Sequence, residues 1–188
     1  MKIIKNGLLE HARQAESPNS NARPDETDIS LIVIHCISLP PGEFGGPWID
    51  RLFDNTLPGD AHPYFQGIQS LRVSAHLLIR RDGSVTQYVP FHKRAWHAGI
   101  SCHEGRENCN DFSIGIELEG TETTDYTPAQ YDSLISAIAA LADTYPGIST
   151  DRIVGHSEIA PARKTDPGPS FDWVFLQQKL AQAKRGSL

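Results

Sequence analysis

Thiols, methionine, surplus positive charge and long apolar runs are all in short supply here, and each shortage removes a class of protein. The chain of 188 residues has three cysteines, Cys36, Cys102 and Cys109, and a single methionine. Three is an odd number, and these spacings match no disulfide framework of a small secreted domain, so reduced thiols are expected. No apolar stretch approaches the roughly 20 residues that span a bilayer. The opening MKIIKNGLLEHARQ also lacks the apolar run and small-residue cleavage site of a secretory signal, so the expectation is a cytoplasmic protein that does not enter a membrane. Lys and Arg number 17 against 23 Asp and Glu, a formal net charge of -6. With the basic residues scattered, neither nucleic acid nor an anionic membrane surface is expected as a partner.

The remaining composition is globular: 39% hydrophobic and 21% charged, with 15 glycines and 13 prolines that imply long ordered loops. The length favours one domain, residues 1–188, on a single core, and a monomer is expected. LIVIHCI, Leu31–Ile37, is a short β-branched run bounded by Ser30 and the Pro40-Pro41 pair, the pattern of a strand buried on both faces. SAHLLIRR and SVTQYVP around Asp82-Gly83 read as a β-hairpin with a two-residue turn, both turn residues at positive φ. FSIGIELEG alternates, so Ile114, Ile116 and Leu118 face the core while Gly115, Glu117 and Glu119 share the other face.

Thr127–Tyr145 reads as a helix, with Thr127 and Gln130 as a capping box, Pro128 in the first position and Pro146-Gly147 as the stop. RIVGH reads as a short strand that His156 ends, and a closing helix from Ser170 places Trp173, Leu176 and Leu180 on one face. Ser38–Tyr64 is mostly loop with one helical turn near Trp48–Phe53; a loop of that length in a compact domain is more often functional than idle. Strands and helices mix along the chain, which places it in the α/β (α+β mixed) class.

His35 stands in an otherwise apolar strand, where a ring without a partner costs roughly 1–3 kcal/mol. Alone, it reads as a hydrogen-bonded core histidine. His156, and Asp166 in the Pro- and Gly-rich GHSEIAPARKTDPGP, are also more readily structural when taken singly. Together, two imidazoles and one carboxylate form a ligand set that leaves zinc an open fourth position, as catalytic sites do. Spacing does not prove the set, because no HExxH signature joins its members. Cys102, His103 and Cys109 are an alternative metal or Cys-His group whose spacing fits no standard zinc finger. Glu117 and Glu119 belong to a solvated sheet face or, where that face lines a cleft, one of them can take a proton from a metal-activated water. Periodicity does not choose between them. Lys164 is an ordinary surface lysine unless Asp166 is a ligand, in which case its ammonium can meet an oxyanion.

Taken in order, IVIH, GEFGGPWID, LRVSAHLLIRRDG, RAWHAG, CNDFSIGIELEG, YTPAQY and GHSEIAPARKTDPGP resemble the zinc-dependent N-acetylmuramoyl-L-alanine amidases, from near Asn6 to near Phe175. Within that family the resemblance is to the cytosolic type that acts on 1,6-anhydro-muropeptides in cell-wall recycling. It implies a central mixed β-sheet flanked by helices, of the amidase and peptidoglycan-recognition-protein kind. It also implies Zn2+ as cofactor on His35, His156 and Asp166, Glu117 as the catalytic glutamate in preference to Glu119, and Lys164 as the catalytic lysine. Arg72, Trp96 and His97 correspond to substrate-cleft positions. The implied substrate is a small muropeptide, cut at the amide between the lactyl group of anhydro-muramic acid and L-alanine.

Two positions depart from the family's pattern: Cys36 stands where asparagine usually follows the first histidine, and Asn108 where arginine often precedes the cysteine of CND. Two other functions stay open. One is a non-catalytic muropeptide-recognition module on the same fold, which would have no reason to keep all five ligand and catalytic residues. The other is an amidase of intact peptidoglycan, which the missing secretory signal disfavours.

Overall fold

The computed structural model describes residues 1–186. Its main sheet has six strands: β1 (Arg13–Gln14), β2 (Leu31–Ile37), β3 (Leu77–Ile79), β4 (Val85–Gln87), β5 (Ser113–Glu119) and β6 (Ile153–Gly155), in the spatial order β6-β2-β5-β3-β4-β1. Neighbours run parallel except for the antiparallel hairpin β3–β4, so the sheet is mixed, as expected. Four helices accompany it: α1 (Trp48–Phe53), α2 (Pro128–Thr144), α3 (His156–Ile159) and α4 (Trp173–Gly186). No helix among the described residues is long and apolar enough to cross a membrane.

The long strands β2 and β5 sit side by side inside the sheet, because both of their faces are covered. On one face Ile32, Ile34, Ile114, Ile116 and Leu118 meet Leu134, Ile138 and Leu141 of α2 and Leu176 and Leu180 of α4. Burying each of these side chains contributes about 1.5–3 kcal/mol. The capping box of Thr127 and Gln130 starts α2 as the sequence predicts, with Pro128 at the first turn. On the other face two smaller clusters form. One gathers Ile49, Leu52 and Phe53 of α1 with Phe65 and Leu78; the other joins Leu31, Val33 and Val154 to Phe112, Cys109 and Ile159. Along β2 this face reads Leu31, Val33, His35 and Ile37, so His35 falls where the second cluster gives way to the first.

Two local expectations are corrected. The hairpin turn has three residues, not two: the Gly83 N–H donates to the Arg80 carbonyl at 2.8 Å, and the Arg80 N–H donates to Ser84 at 2.9 Å. Gly83 alone takes positive φ, at 82°, because the Asp82 carboxylate accepts the Ser84 N–H at 2.9 Å and holds the residues before glycine in an ordinary right-handed turn. A side chain at Gly83 would also meet the Ala129 carbonyl at 2.8 Å, so glycine lets the hairpin tip dock on the start of α2. The second correction concerns His156, which does not end β6 but opens the helical turn α3 directly after it. All three cysteines are free, with Cys109 buried and Cys102 exposed.

Beneath the sheet Arg23 is only 5% exposed. Its guanidinium donates to the carbonyls of Phe91, Asn110, Asp111 and Ser113. Burial pulls its pKa down to about 10, which leaves it charged at neutral pH. It therefore ties the entry into β5 to the body of the protein. Next to it, His76 accepts the Gly115 N–H at Nδ1 (3.0 Å), so its single ring proton lies on Nε2, 3.1 Å from the Lys93 carbonyl. Burial, with the Arg23 charge adding to it, holds His76 well below its ordinary pKa.

His76 is thus neutral in the folded protein but protonates near pH 6.5 when unfolded. The unfolded state binds more protons below that value, so stability is present above about pH 6.5 and declines as the pH falls through it. Each such histidine contributes a slope of about 1.4 kcal/mol per pH unit. Urea unfolding of metal-free protein between pH 7 and 5.5 should show this decline, and His76→Gln should flatten it; an unchanged slope in that variant would remove His76 from the account.

Candidate metal centre

The parallel strands β6, β2 and β5 lie side by side from one edge of the sheet and end on the same side, and their carboxyl ends collect the chemistry-bearing residues, the usual place for a site in a parallel sheet. His35 and Glu117 are the fifth residues of β2 and β5, and the parallel register pairs them as neighbours on one face. His156 follows β6 immediately. Asp166 arrives from the loop after α3, where the Ser157 N–H donates to its carbonyl at 3.0 Å and the Tyr126 hydroxyl donates to the Pro167 carbonyl at 2.8 Å. Residues 121 positions apart in sequence, His35 and His156, are thereby brought into contact.

Their contact geometry is specific. Nδ1 of His35 lies 3.0 Å from Nδ1 of His156, and Oδ2 of Asp166 lies 3.1 Å from each. Zinc bonds of about 2.0–2.1 Å in a tetrahedron would set ligand atoms about 3.3 Å apart, so this triangle matches such a centre to within a few tenths of an ångström. The far nitrogen of His156, Nε2, sits 3.2 Å from the Ala98 carbonyl, where it donates its proton. That leaves the Nδ1 lone pair facing His35 Nδ1 and Asp166 Oδ2. Burial, opposed by Asp166, brings the His35 pKa down to about 4, so His35 is a neutral donor at neutral pH. Among the described residues these three form the group able to hold a metal ion. Cys102 and Cys109 form no such group with His103. Cys36 points into the opposite face against the main core, and burial raises its thiol to about 12, which keeps sulfur protonated and out of the donor set.

The two glutamates that periodicity could not separate have different surroundings. Glu119 is 2% exposed and fully engaged: Arg80 donates to it at 2.8 Å, and the backbone N–H groups of Gly45 and Arg81 donate at 2.7 and 3.2 Å. Glu117 has no such support. Its Oε2 is shielded from solvent and has no hydrogen-bond partner. Burial pushes its pKa well above the ordinary value, the Asp166 charge pushes the same way, and Lys164 opposes both. A carboxyl of raised basicity in the same cavity as that triangle is suited to proton transfer.

His35, Glu117, His156, Lys164 and Asp166 all line one cavity of about 480 Å³. The Lys164 ammonium has no hydrogen bond or ion pair among the described residues, so it is available to a ligand. Trp96 lines the same cavity, its indole N–H donating to Asn21 at 2.7 Å. Arg72 does not line it: the side chain is exposed, and its guanidinium donates to the adjacent Leu71 carbonyl at 3.1 Å. His97 touches the cavity, but both ring nitrogens are occupied, Nδ1 by His35 at 3.0 Å and Nε2 by Ser113 at 3.1 Å. Its expected part as a polar substrate contact therefore has no free ring atom behind it.

Asn108, the second departure from the family's pattern, is exposed and in the left-handed region at φ 58°, a conformation that asparagine adopts more readily than most residues. The sequence reading missed Asn110, whose Oδ1 accepts the backbone N–H groups of His97 and Ala98 at 3.1 and 2.8 Å. It also missed the purpose of Gly115, where a Cβ would lie 2.4 Å from the His97 ring. A glycine inside an alternating strand is the signal for such a close approach.

Comparison with known proteins agrees with this geometry. A family model described as N-acetylmuramoyl-L-alanine amidase matches residues 25–169. The 1,6-anhydro-N-acetylmuramyl-L-alanine amidase AmpD of Citrobacter freundii is 62% identical over 172 residues, 92% of this chain and 91% of that protein. A crystal structure of a selenomethionine AmpD derivative superposes with a TM-score of 0.91 at 60% identity, covering 94% of this chain and 98% of that one. The Escherichia coli amidase AmiD, in complex with anhydro-N-acetylmuramic acid-L-Ala-D-gamma-Glu-L-Lys, superposes with a TM-score of 0.60 at 31% identity, over 94% of this chain and 65% of that one.

Elemental analysis of purified, dialysed variants separates ligands from neighbours. His35→Ala, His156→Ala and Asp166→Ala should each lose bound metal, whereas Glu117→Gln should retain it; the reverse pattern would mean that the roles are misassigned.

Proposed function

The chain belongs to the N-acetylmuramoyl-L-alanine amidase family, and from that premise we propose that it hydrolyses the amide between the lactyl group of 1,6-anhydro-N-acetylmuramic acid and L-alanine in muropeptides. The proposal includes zinc as the metal, peptidoglycan recycling in the cytoplasm as the setting, and a monomer as the working form. One observation carries it: the triangle of two imidazole nitrogens and a carboxylate oxygen, with the unpartnered Glu117 carboxyl beside it in the same cavity.

His35, His156 and Asp166 would hold the zinc, which would supply Lewis acidity and lower the pKa of the attacking water from about 16 to about 7. Glu117 takes the proton of the attacking water. The oxygen adds to the lactyl carbonyl, and Lys164 holds its ammonium against the negative charge that collects on the carbonyl oxygen. Glu117 then returns the proton to the nitrogen of L-alanine as the C–N bond breaks. The products are the muramic acid carboxylate and a peptide with a free amino group. Trp96 offers the sugar a flat apolar face, and its indole N–H is already satisfied by Asn21, so stacking costs it no hydrogen bond.

A recognition module without catalysis is disfavoured by Glu117, because a buried carboxyl oxygen without a partner costs stability and serves no binding role that a neutral residue could not fill. Action on intact peptidoglycan is disfavoured by the full-length likeness to an enzyme named for the anhydro substrate.

Lys164→Ala should keep its metal and lose roughly 100- to 1000-fold in turnover, about 2.7–4 kcal/mol of transition-state stabilisation. Assays should use an anhydro-muropeptide beside intact sacculi. Unchanged turnover would remove Lys164 from the mechanism, and preference for sacculi would overturn the recycling assignment.

A further inference from the structure

Both imidazole ligands lean, on the side away from the metal position, against consecutive residues of one loop. Nε2 of His156 meets the Ala98 carbonyl at 3.2 Å, and Nε2 of His35 meets the His97 ring at Nδ1, 3.0 Å away. The direction of each proton in the second contact follows from the next links. Ser113 has one hydroxyl proton, and it goes to the Cys109 carbonyl through a short bond. Toward His97 the serine oxygen is therefore an acceptor, so His97 Nε2 carries the proton across their 3.1 Å contact. A neutral ring has one such proton, which leaves His97 Nδ1 as a bare lone pair. The contact between His97 and His35 then requires the proton on His35 Nε2, and His35 Nδ1 is left unprotonated toward His156 and Asp166.

We propose that His97 is a positioning residue of the metal centre: seated on Gly115 and oriented by Ser113, its ring holds His35 in the Nε2–H tautomer with Nδ1 free for the ion. This rests on the metal reading above and deepens it.

The surroundings leave His97 little freedom. Its ring lies edge-on to His35 with centroids 5.1 Å apart and an interplanar angle of 82°. A Cβ at residue 115 would come 2.4 Å from the ring, so only glycine leaves room for it. Asn110 fixes the backbone of His97 and Ala98 through one oxygen, and Arg23 holds the carbonyls of Asn110 and Ser113 from below. Outer partners of this kind set the tautomer and orientation of a ligating histidine, and losing one typically costs about 10- to 100-fold in metal affinity.

The test combines tautomer and affinity. Long-range 1H–15N NMR of metal-free wild-type protein should find His35 as the Nε2–H tautomer; an Nδ1–H tautomer would overturn the proposal without need of any variant. Zinc affinity, measured by competition with a chelating dye, should fall about 10- to 100-fold in His97→Leu. It should stay near wild type in His97→Asn, whose amide oxygen keeps an acceptor at the Nδ1 position. His97→Leu with wild-type affinity and an unchanged His35 tautomer would overturn this proposal alone. Wild-type protein that binds no zinc would overturn the metal reading and this proposal with it.

Discussion

Two imidazole lone pairs and a carboxylate oxygen held 3.0–3.1 Å apart repel one another unless a cation lies among them, and much of the surrounding structure serves to hold them there. No single element could do so. His35 comes from inside a long strand, His156 from the first residue of a helical turn and Asp166 from a loop rich in proline and glycine. What brings them together is the parallel packing of β6, β2 and β5, whose carboxyl ends finish on one side of a sheet buried on both faces. The hydrophobic clusters cover both faces of that sheet, and its packed strand ends set the positions at which a loop-borne carboxylate meets one imidazole from a strand and one from the helical turn after a strand.

The polar residues near the centre divide by whether their needs are met. Glu119 and His76 have every obvious partner and belong to the scaffold. Glu117 and Lys164, in the same cavity, have unmet capacity. A protein tolerates the cost of an unpaired buried group where a ligand completes it, and an elevated carboxyl beside an uncommitted ammonium is suited to proton transfer and to meeting negative charge. The same logic separates His97 from the substrate-facing residues, since both of its nitrogens are committed within the protein.

Much of the fold could be read from local pattern. The run Leu31–Ile37, the alternation through β5, the capping box of α2 and the single turn of α1 all appear where the sequence places them, because each rests on periodicity or on short-range capping chemistry. The hairpin turn departs from the sequence expectation because Asp-Gly serves a three-residue loop as well as a two-residue one, and the choice depends on the Asp82 contact to Ser84 and the docking of Gly83 on α2. The candidate ligands His35, His156 and Asp166 come from residue types and the family resemblance, but the pairing of Glu117 with His35 needs the strand register, a non-local quantity. Gly115 and Asn110 were invisible for the same reason: each acts on His97 from a separate stretch of chain.

X-ray absorption on the zinc-loaded wild-type protein tests the centre most directly, because it reads the ligand atoms themselves. The expected first shell is two imidazole nitrogens and two oxygens at about 2.0–2.2 Å, one oxygen from Asp166 and one from solvent. Sulfur scattering near 2.3 Å, which would bring in Cys36 or another thiol, or a third imidazole from His97, would contradict the account.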